Sequence, residues 1–184
     1  MRPLSTDAER AEAGALVEER LTWLTRRGLP VRLRLDIPDL FLDQRWESVG
    51  LFEDGLLIGC MILDGDTDAR GPALFLAHVH TLPGRTDGAL RLITLWASDY
   101  AARCGLLHVR AEVLARHDLS VDPISRVLDR LQTVGWGLRG IGTGEDDERV
   151  ARLELRAELR PLAPLIGCTV PLRCAVSSWV RCSP

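Results

Sequence analysis

The 184-residue sequence contains no lysine, no asparagine and a single tyrosine. Every basic side chain is therefore arginine, and chemistry that needs a lysine amine, such as Schiff-base formation, is excluded. The 23 basic residues face 26 acidic ones, which gives a net charge of −3. This balance lacks the positive field of a general nucleic-acid binder.

Long apolar runs are also missing. No stretch approaches the roughly 20 residues of a membrane-spanning helix. Residues 1–4 lead directly into charged sequence, without the apolar core of a signal peptide. The sequence thus predicts a soluble, cytoplasmic protein that binds neither membranes nor nucleic acid.

Cysteines at metal-binding or redox spacing are absent as well. The five cysteines are unevenly spaced and include no Cys-x-x-Cys pair. Cys60, inside an apolar run, and Cys104, at the end of a helical pattern, are expected to be buried free thiols. Cys168, Cys174 and Cys182 fall in the C-terminal segment.

What is present is a clear alternation of periodic segments. They predict helices over 6–28, 88–104 and 124–134, a hairpin over 49–63, and strands over 73–82, 107–113 and 150–159. Strands that come first and then alternate with helices indicate an α/β fold with a mixed sheet and helices on its faces.

The domain is expected to span residues 1–160. Residues 161–184 contain several prolines and no acidic residue, which predicts a poorly ordered extension that limited proteolysis removes without unfolding the rest. Docking to a partner protein is the alternative role for this segment.

The junction between the strand at 73–82 and the helix that opens at Gly88 is the clearest candidate binding feature. A tight loop at a helix N-terminus gathers backbone N–H groups around one point and favours an anion such as a pyrophosphate. Gly84 and Gly88 would allow close approach to the backbone. A purely structural turn is the alternative.

The element order and this junction resemble the GNAT superfamily of acyl-CoA-dependent N-acyltransferases. The family signature is Arg/Gln-x-x-Gly-x-Gly/Ala at the start of the helix after the fourth strand. The segment Arg85-Thr86-Asp87-Gly88-Ala89-Leu90 matches it at the first and fourth positions. The late helix ending at Gly135-Trp136 is also similar, and the resemblance covers about residues 1 to 159.

The resemblance implies a mostly antiparallel central sheet with helices on both faces, and acetyl-CoA as the acyl donor. It implies that the backbone around Ala77, His78 and Val79 lines the pantetheine. The pyrophosphate would lie in the loop formed by Arg85, Thr86, Asp87, Gly88, Ala89 and Leu90. The acceptor would be an amine, on a small molecule or a peptide. The sequence leaves the oligomeric state open, a homodimer included.

Two candidates for the catalytic base follow from the residues themselves. His78 and His80 are two apart on one strand, which predicts that they share a face, and imidazole titrates near neutral pH. Glu112, near the end of the next strand, is the second candidate. The alternatives are hydrogen-bonded structural imidazoles and a solvated rim carboxylate. No third ligand accompanies the histidine pair, so no metal site is predicted.

Two positions depart from the family pattern. Leu90 stands where the family keeps Gly or Ala. Leu131 stands where many members carry the tyrosine that protonates the thiolate, and Tyr100 lies on a different predicted helix. These departures favour the alternative of a catalytically inactive ligand-binding or interaction module.

An acidic stretch over 140–148 is expected to be a flexible loop before the final strand. It is either a solvated turn or an attractor for a cationic amine. In the second case, neutralising Glu145, Asp146 and Asp147 would weaken substrate binding.

Overall fold

A computed structural model describes residues 1–29, 31–32, 36–68, 71–115, 124–144, 147–162 and 165–172. Its elements run in the order β1 (Arg2–Pro3), α1 (Asp7–Arg26), α2 (Ile37–Leu42), β2 (Glu47–Glu53), β3 (Leu56–Asp68), β4 (Gly71–Thr81), α3 (Thr86–Arg103), β5 (His108–Leu114), α4 (Ser125–Thr133), β6 (Gly137–Thr143) and β7 (Arg149–Arg156).

These strands form one sheet in the order β1-β2-β3-β4-β5-β7-β6. All neighbours are antiparallel except β4 and β5, which are parallel. One face packs on α3 and α4, and the other packs on α1 and α2. The predicted α/β class, with a mostly antiparallel sheet between helices, is confirmed.

Helix α1 begins as its sequence dictates. The Thr6 hydroxyl accepts from the Glu9 amide at 3.2 Å, and the Glu9 carboxylate accepts from the Thr6 amide at 3.1 Å, which is a complete capping box. Four core-facing positions of the helix are buried, namely Ala13, Gly14, Leu16 and Val17. Ala11 and Ala15, which the apolar pattern also includes, are exposed.

Three elements were not predicted from the sequence. Strand β1 is only two residues long, α2 is a six-residue helix with Pro38 in its first turn, and β6 carries three glycines. The expectation of a loop over 140–148 is wrong for Gly140–Thr143, which pair with β7 as an edge strand. Glu145 and Asp146 lie outside the described residues, and Asp147 is exposed.

The C-terminal segment differs from the expectation of a loose extension over its described part. Leu162, Ile166 and Val170 are buried in the same core cluster as α3, because apolar side chains at four-residue spacing reach the uncovered side of that helix. The Tyr100 hydroxyl donates to the Pro171 carbonyl at 2.8 Å. Residues 173–184 lie outside the described residues, and the division of the chain at residue 160 stays a prediction.

The cysteine predictions for the core are confirmed. Cys60 and Cys104 are buried cysteines that form no disulfide, and burial raises the pKa of Cys60. Cys168 is a free, exposed cysteine whose sulfur accepts a hydrogen bond from the Trp96 indole at 3.2 Å. Cys174 and Cys182 lie outside the described residues.

Candidate active site

A cleft opens in the sheet where its two parallel strands diverge. Strands β4 and β5 pair only between Ala73–Leu76 and His108–Ala111. Beyond these four pairs β4 continues to Thr81 and β5 to Leu114. The gap between them is a cleft of about 310 Å³ that reaches from α1 to α3 and α4.

A bulge in β4 causes the divergence. Cys60 pairs with His80, whereas Ile62 pairs with Ala77, so β4 holds one more residue than β3 in this interval. His78 has φ 49, a left-handed conformation that costs a non-glycine residue about 1 kcal/mol or more. Such bulges redirect side chains and are common beside functional sites.

The bulge also changes the predicted arrangement of the two histidines. Regular alternation would place both on one face, but the extra residue shifts it, so that Val79 packs on the α3 side and His80 contacts Phe41 on the α2 side. Strand β4 therefore lacks the regular alternation that the prediction for the two histidines assumed. His78 and His80 nevertheless both line the cleft.

The N-terminus of α3 borders the same cleft. Its first backbone hydrogen bond runs from the Ala89 amide to the Arg85 carbonyl at 3.0 Å, and Arg85 provides no side-chain cap. The amides of Thr86, Asp87 and Gly88 thus precede the helical ladder, where a helix end offers donors to an anion. A Cβ on Gly88 would meet no atom within 4 Å, so the space beside this residue is open.

The side chains of this loop have their own partners. Arg85 forms an ion pair with Glu53 at 2.9 Å, and Asp87 forms one with Arg130 of α4 at 2.7 Å. The Thr86 hydroxyl lies 3.1 Å from that of Thr81. Arg130 thereby compensates the carboxylate nearest the free amides.

The remaining predicted donor-site residues occupy different positions around the cleft. His78, Val79 and Leu90 line it, whereas Ala77 lines an adjoining open groove. Ala89 is buried under the helix end. Leu90 therefore puts a branched side chain on the cleft wall without filling the cleft.

Glu112 lies across the cleft from His78, on the other diverging strand. Its carboxylate is 3.4 Å from the guanidinium of Arg152 and 3.9 Å from that of Arg32. Only 18% of the side chain is exposed. The structure thus brings both predicted base candidates into one cleft, and it gives the carboxylate two cationic neighbours that the sequence did not indicate.

His80 has the weaker chemistry of the two histidines. Burial first, then the nearby His78 and Arg20, lower its pKa to about 3. The imidazole is therefore neutral at physiological pH and a poor proton acceptor there. Its edge-to-face contact with Phe41, at 6.4 Å between ring centroids, is that of a packing residue.

The wall beneath α4 holds the position at which the resemblance expects a tyrosine. Leu131 is buried there and lines the cleft. Close by, the Trp136 indole donates to the Thr94 hydroxyl at 3.0 Å. Tyr100 uses its hydroxyl on the C-terminal segment, as described above, and does not line the cleft.

On the α1 and α2 side the cleft joins an open, polar groove of about 630 Å³. Its floor is the uncovered part of the sheet. The guanidinium of the buried Arg110 binds Asp66 at 2.9 Å and Asp68 at 2.7 Å, and Glu154 lies 3.5 Å away. The floor of the groove is thus a charged network of both signs.

Among the described residues no group of three His, Cys, Asp or Glu side chains is arranged to hold a metal ion. No helix in the described ranges has both the length and the apolar character to cross a bilayer.

No protein-family model matches the sequence, and no curated protein matches it. Solved structures do match the fold. A GNAT-family acetyltransferase from Desulfovibrio desulfuricans aligns with TM-score 0.62 at 13% identity, over 85% of this chain and 98% of that one.

Two further neighbours have named acceptors. The ribosomal-protein-S18-alanine N-acetyltransferase from Escherichia coli aligns with TM-score 0.55 at 14% identity, over 86% of this chain and 93% of that one. The aminoglycoside 6'-N-acetyltransferase from Enterococcus faecium aligns with TM-score 0.54 at 13% identity, over 85% and 94%. With its splayed β4 and β5 and the helix that begins at their junction, this chain has the fold of the GNAT superfamily.

Proposed function

We propose that this protein is an acyl-CoA-dependent N-acyltransferase, with acetyl-CoA as the donor. The observation that carries the proposal is the meeting of the open α3 N-terminus with the cleft between β4 and β5. With the diphosphate of acetyl-CoA at the helix amides, the pantetheine and the acetyl group can extend between the diverging strands. The acceptor amine then enters from the α1 and α2 side.

The residues of the loop fit a pyrophosphate. The amides of Thr86, Asp87 and Gly88 lie at a helix end, the Gly88 position is open, and Arg130 offsets the charge of Asp87. The backbone of Ala77, His78 and Val79, at the point where β4 leaves β5, would contact the pantetheine. Leu90 would pack against it more tightly than a glycine.

His78 and Glu112 are the proposed proton acceptors. As the amine nitrogen bonds to the acyl carbon, it must lose a proton, and either side chain can take it, directly or through water. The sulfur that leaves must gain one. Leu131 cannot supply it, so solvent takes that role in the proposal.

The second candidate function is a GNAT-fold module that binds a ligand without turnover. Leu131 in place of a proton donor and Leu90 on the cleft wall favour it. A purely structural partner protein is the third class, and it would need neither the open helix end nor the cleft.

Titration calorimetry with acetyl-CoA, followed by thiol release with a panel of amines, separates the three. Saturable binding with amine-dependent thiol release supports the enzyme. Binding alone supports the ligand-binding module, and no binding overturns both. Because neighbours of this fold are named for small-molecule and protein acceptors, the panel should contain both kinds.

A charge placed at the helix end tests the donor site directly. Gly88→Glu should weaken acetyl-CoA binding at least tenfold, because its carboxylate repels the pyrophosphate at the free amides. Ala15→Glu adds the same charge at an exposed position of α1 and should bind like the wild type. Equal affinities for the two variants would contradict the assignment.

A further inference from the structure

Arg20 interrupts the apolar face of α1. It follows the buried Leu16 by four residues and the buried Val17 by three, and it precedes the half-buried Leu24 by four. The helical period calls for an apolar residue at this position. A charged side chain on a core-facing position indicates a function where nothing structural requires it.

Among the residues that the structure describes, the guanidinium of Arg20 has no anionic partner. Its Nη1 is buried without a hydrogen-bond acceptor, and no carboxylate of the described residues lies within ion-pair distance. The group lies over the Trp23 ring, 4.5 Å from its centroid. Stacking holds the plane of the guanidinium but satisfies none of its N–H donors.

Arg20 lines the acceptor end of the cleft. Its neighbours along this wall are apolar, namely Leu21, Leu24, Leu29, Val31 and Ile37. Burial, and then repulsion from Arg27, lower the pKa of Arg20, yet an arginine stays protonated at physiological pH. Over the described residues, this end of the cleft is therefore an apolar pocket with one unpaired positive charge.

The other arginine of this wall is already engaged. Arg32 lies 3.3 Å from the carboxylate of Glu148 and 3.9 Å from that of Glu112. Of the cationic side chains that the structure describes at the α1 end of the cleft, only Arg20 is available to an incoming anion. An unpaired buried charge is costly, and a bidentate carboxylate is the partner that best satisfies a guanidinium.

We infer that the acceptor is an amine that also carries a carboxylate and an apolar group, and that Arg20 binds the carboxylate. This inference rests on the proposed function and narrows its substrate class. The charge fixes one end of the acceptor while the apolar wall covers its side chain. The amine is then left to face His78 and Glu112.

Matched acceptors test the inference. The probes are apolar amino acids, their amides and the amines that lack the carboxylate, for example leucine, leucinamide and 3-methylbutylamine. The carboxylate members should have kcat/KM values about ten- to a hundredfold higher. Arg20→Gln should abolish this preference by raising KM for the acids alone.

Arg27→Gln is the matched control. Arg27 stacks on the same Trp23 ring, 4.1 Å from its centroid, but does not line the cleft, so this variant should keep the preference. Circular dichroism and thermal unfolding of each variant verify the fold. A preference for the neutral amines, or a ratio unchanged in Arg20→Gln, overturns the inference and leaves the acyltransferase proposal intact.

Direct binding provides a readout independent of turnover. Saturation-transfer NMR should detect the amino acids on the wild type and on Arg27→Gln, and not on Arg20→Gln. The absence of any Arg20-dependent binding of a carboxylate would overturn the inference even if no acceptor were acylated. Loss of acetyl-CoA binding would instead count against the proposed function.

Discussion

The imidazole of His80 shows how burial changes the chemistry of a single residue. It lies against Phe41, and its pKa falls to about 3. In the unfolded chain the same group titrates near its reference value of about 6.5. Between these two values the unfolded state binds a proton that the folded state does not.

Stability should therefore fall as the pH drops below 6.5 and keep falling to about 3. The slope from this residue is at most about 1.4 kcal/mol per pH unit, or about 2 kcal/mol between pH 6.5 and pH 5. Urea unfolding at pH 7 and pH 5 should show a smaller loss for His80→Leu than for the wild type. Equal losses of stability in the wild type and in His80→Leu would contradict the low pKa of His80.

Single residues also show how far the site could be read from the sequence. The glycines at 84 and 88 predict the proposed anion loop from the sequence because their conformational effect is local. Arg20 could have been found from the break in the helical period of α1. The placement of His78 and Glu112 in one cleft could not, since it depends on two strands that share only four residue pairs.

At the scale of elements, the bulge in β4 decides the shape of the cleft. His78 takes up the extra residue at φ 49, a conformation in which glycine is unstrained and other residues are not. Strand periodicity cannot reveal such an insertion, because the extra residue is apparent only from the pairing with the neighbouring strand. The same limit hid β6, whose glycines and exposed edge leave no apolar pattern.

Two substitutions that remove the imidazole test this strain. His78→Gly should be about 1 kcal/mol more stable than His78→Ala, because only glycine adopts a positive φ freely. At a regular strand position the order is the reverse, since glycine loses more backbone entropy on folding. Equilibrium urea unfolding of the pair measures the difference. An alanine variant at least as stable as the glycine variant would show that the bulge is absent in solution.

At the scale of the whole molecule, the segment after β7 belongs to the core. Its apolar side chains pack on α3, and the Gly167 carbonyl accepts from the Met1 ammonium at 2.7 Å. The sequence predicted the main sheet and helices from their periodicity. It did not predict this packing, because spaced apolar residues among prolines form no regular element and gain their order only from the surface they cover.

Neighbouring residues of this segment provide a test. Ile166 is 7% exposed and Leu165 is 71% exposed. Ile166→Ala should lower the free energy of unfolding by about 2 kcal/mol or more, through lost burial and a cavity. Leu165→Ala should change it by less than about 0.5 kcal/mol. Similar small effects at both positions would mean that the segment is not packed on α3 in solution.

Strands β4 and β5 are joined by only four residue pairs, and the guanidinium of Arg110 lies at the same end of the two strands. Arg110 reaches across β4 to two carboxylates of β3, so the half-sheets are clamped at one end and parted at the other. Any widening of the cleft would therefore rotate the two half-sheets about that clamp. Because Asp66 and Asp68 are partly exposed, dissolved salt should weaken their ion pairs with Arg110 and make this rotation easier.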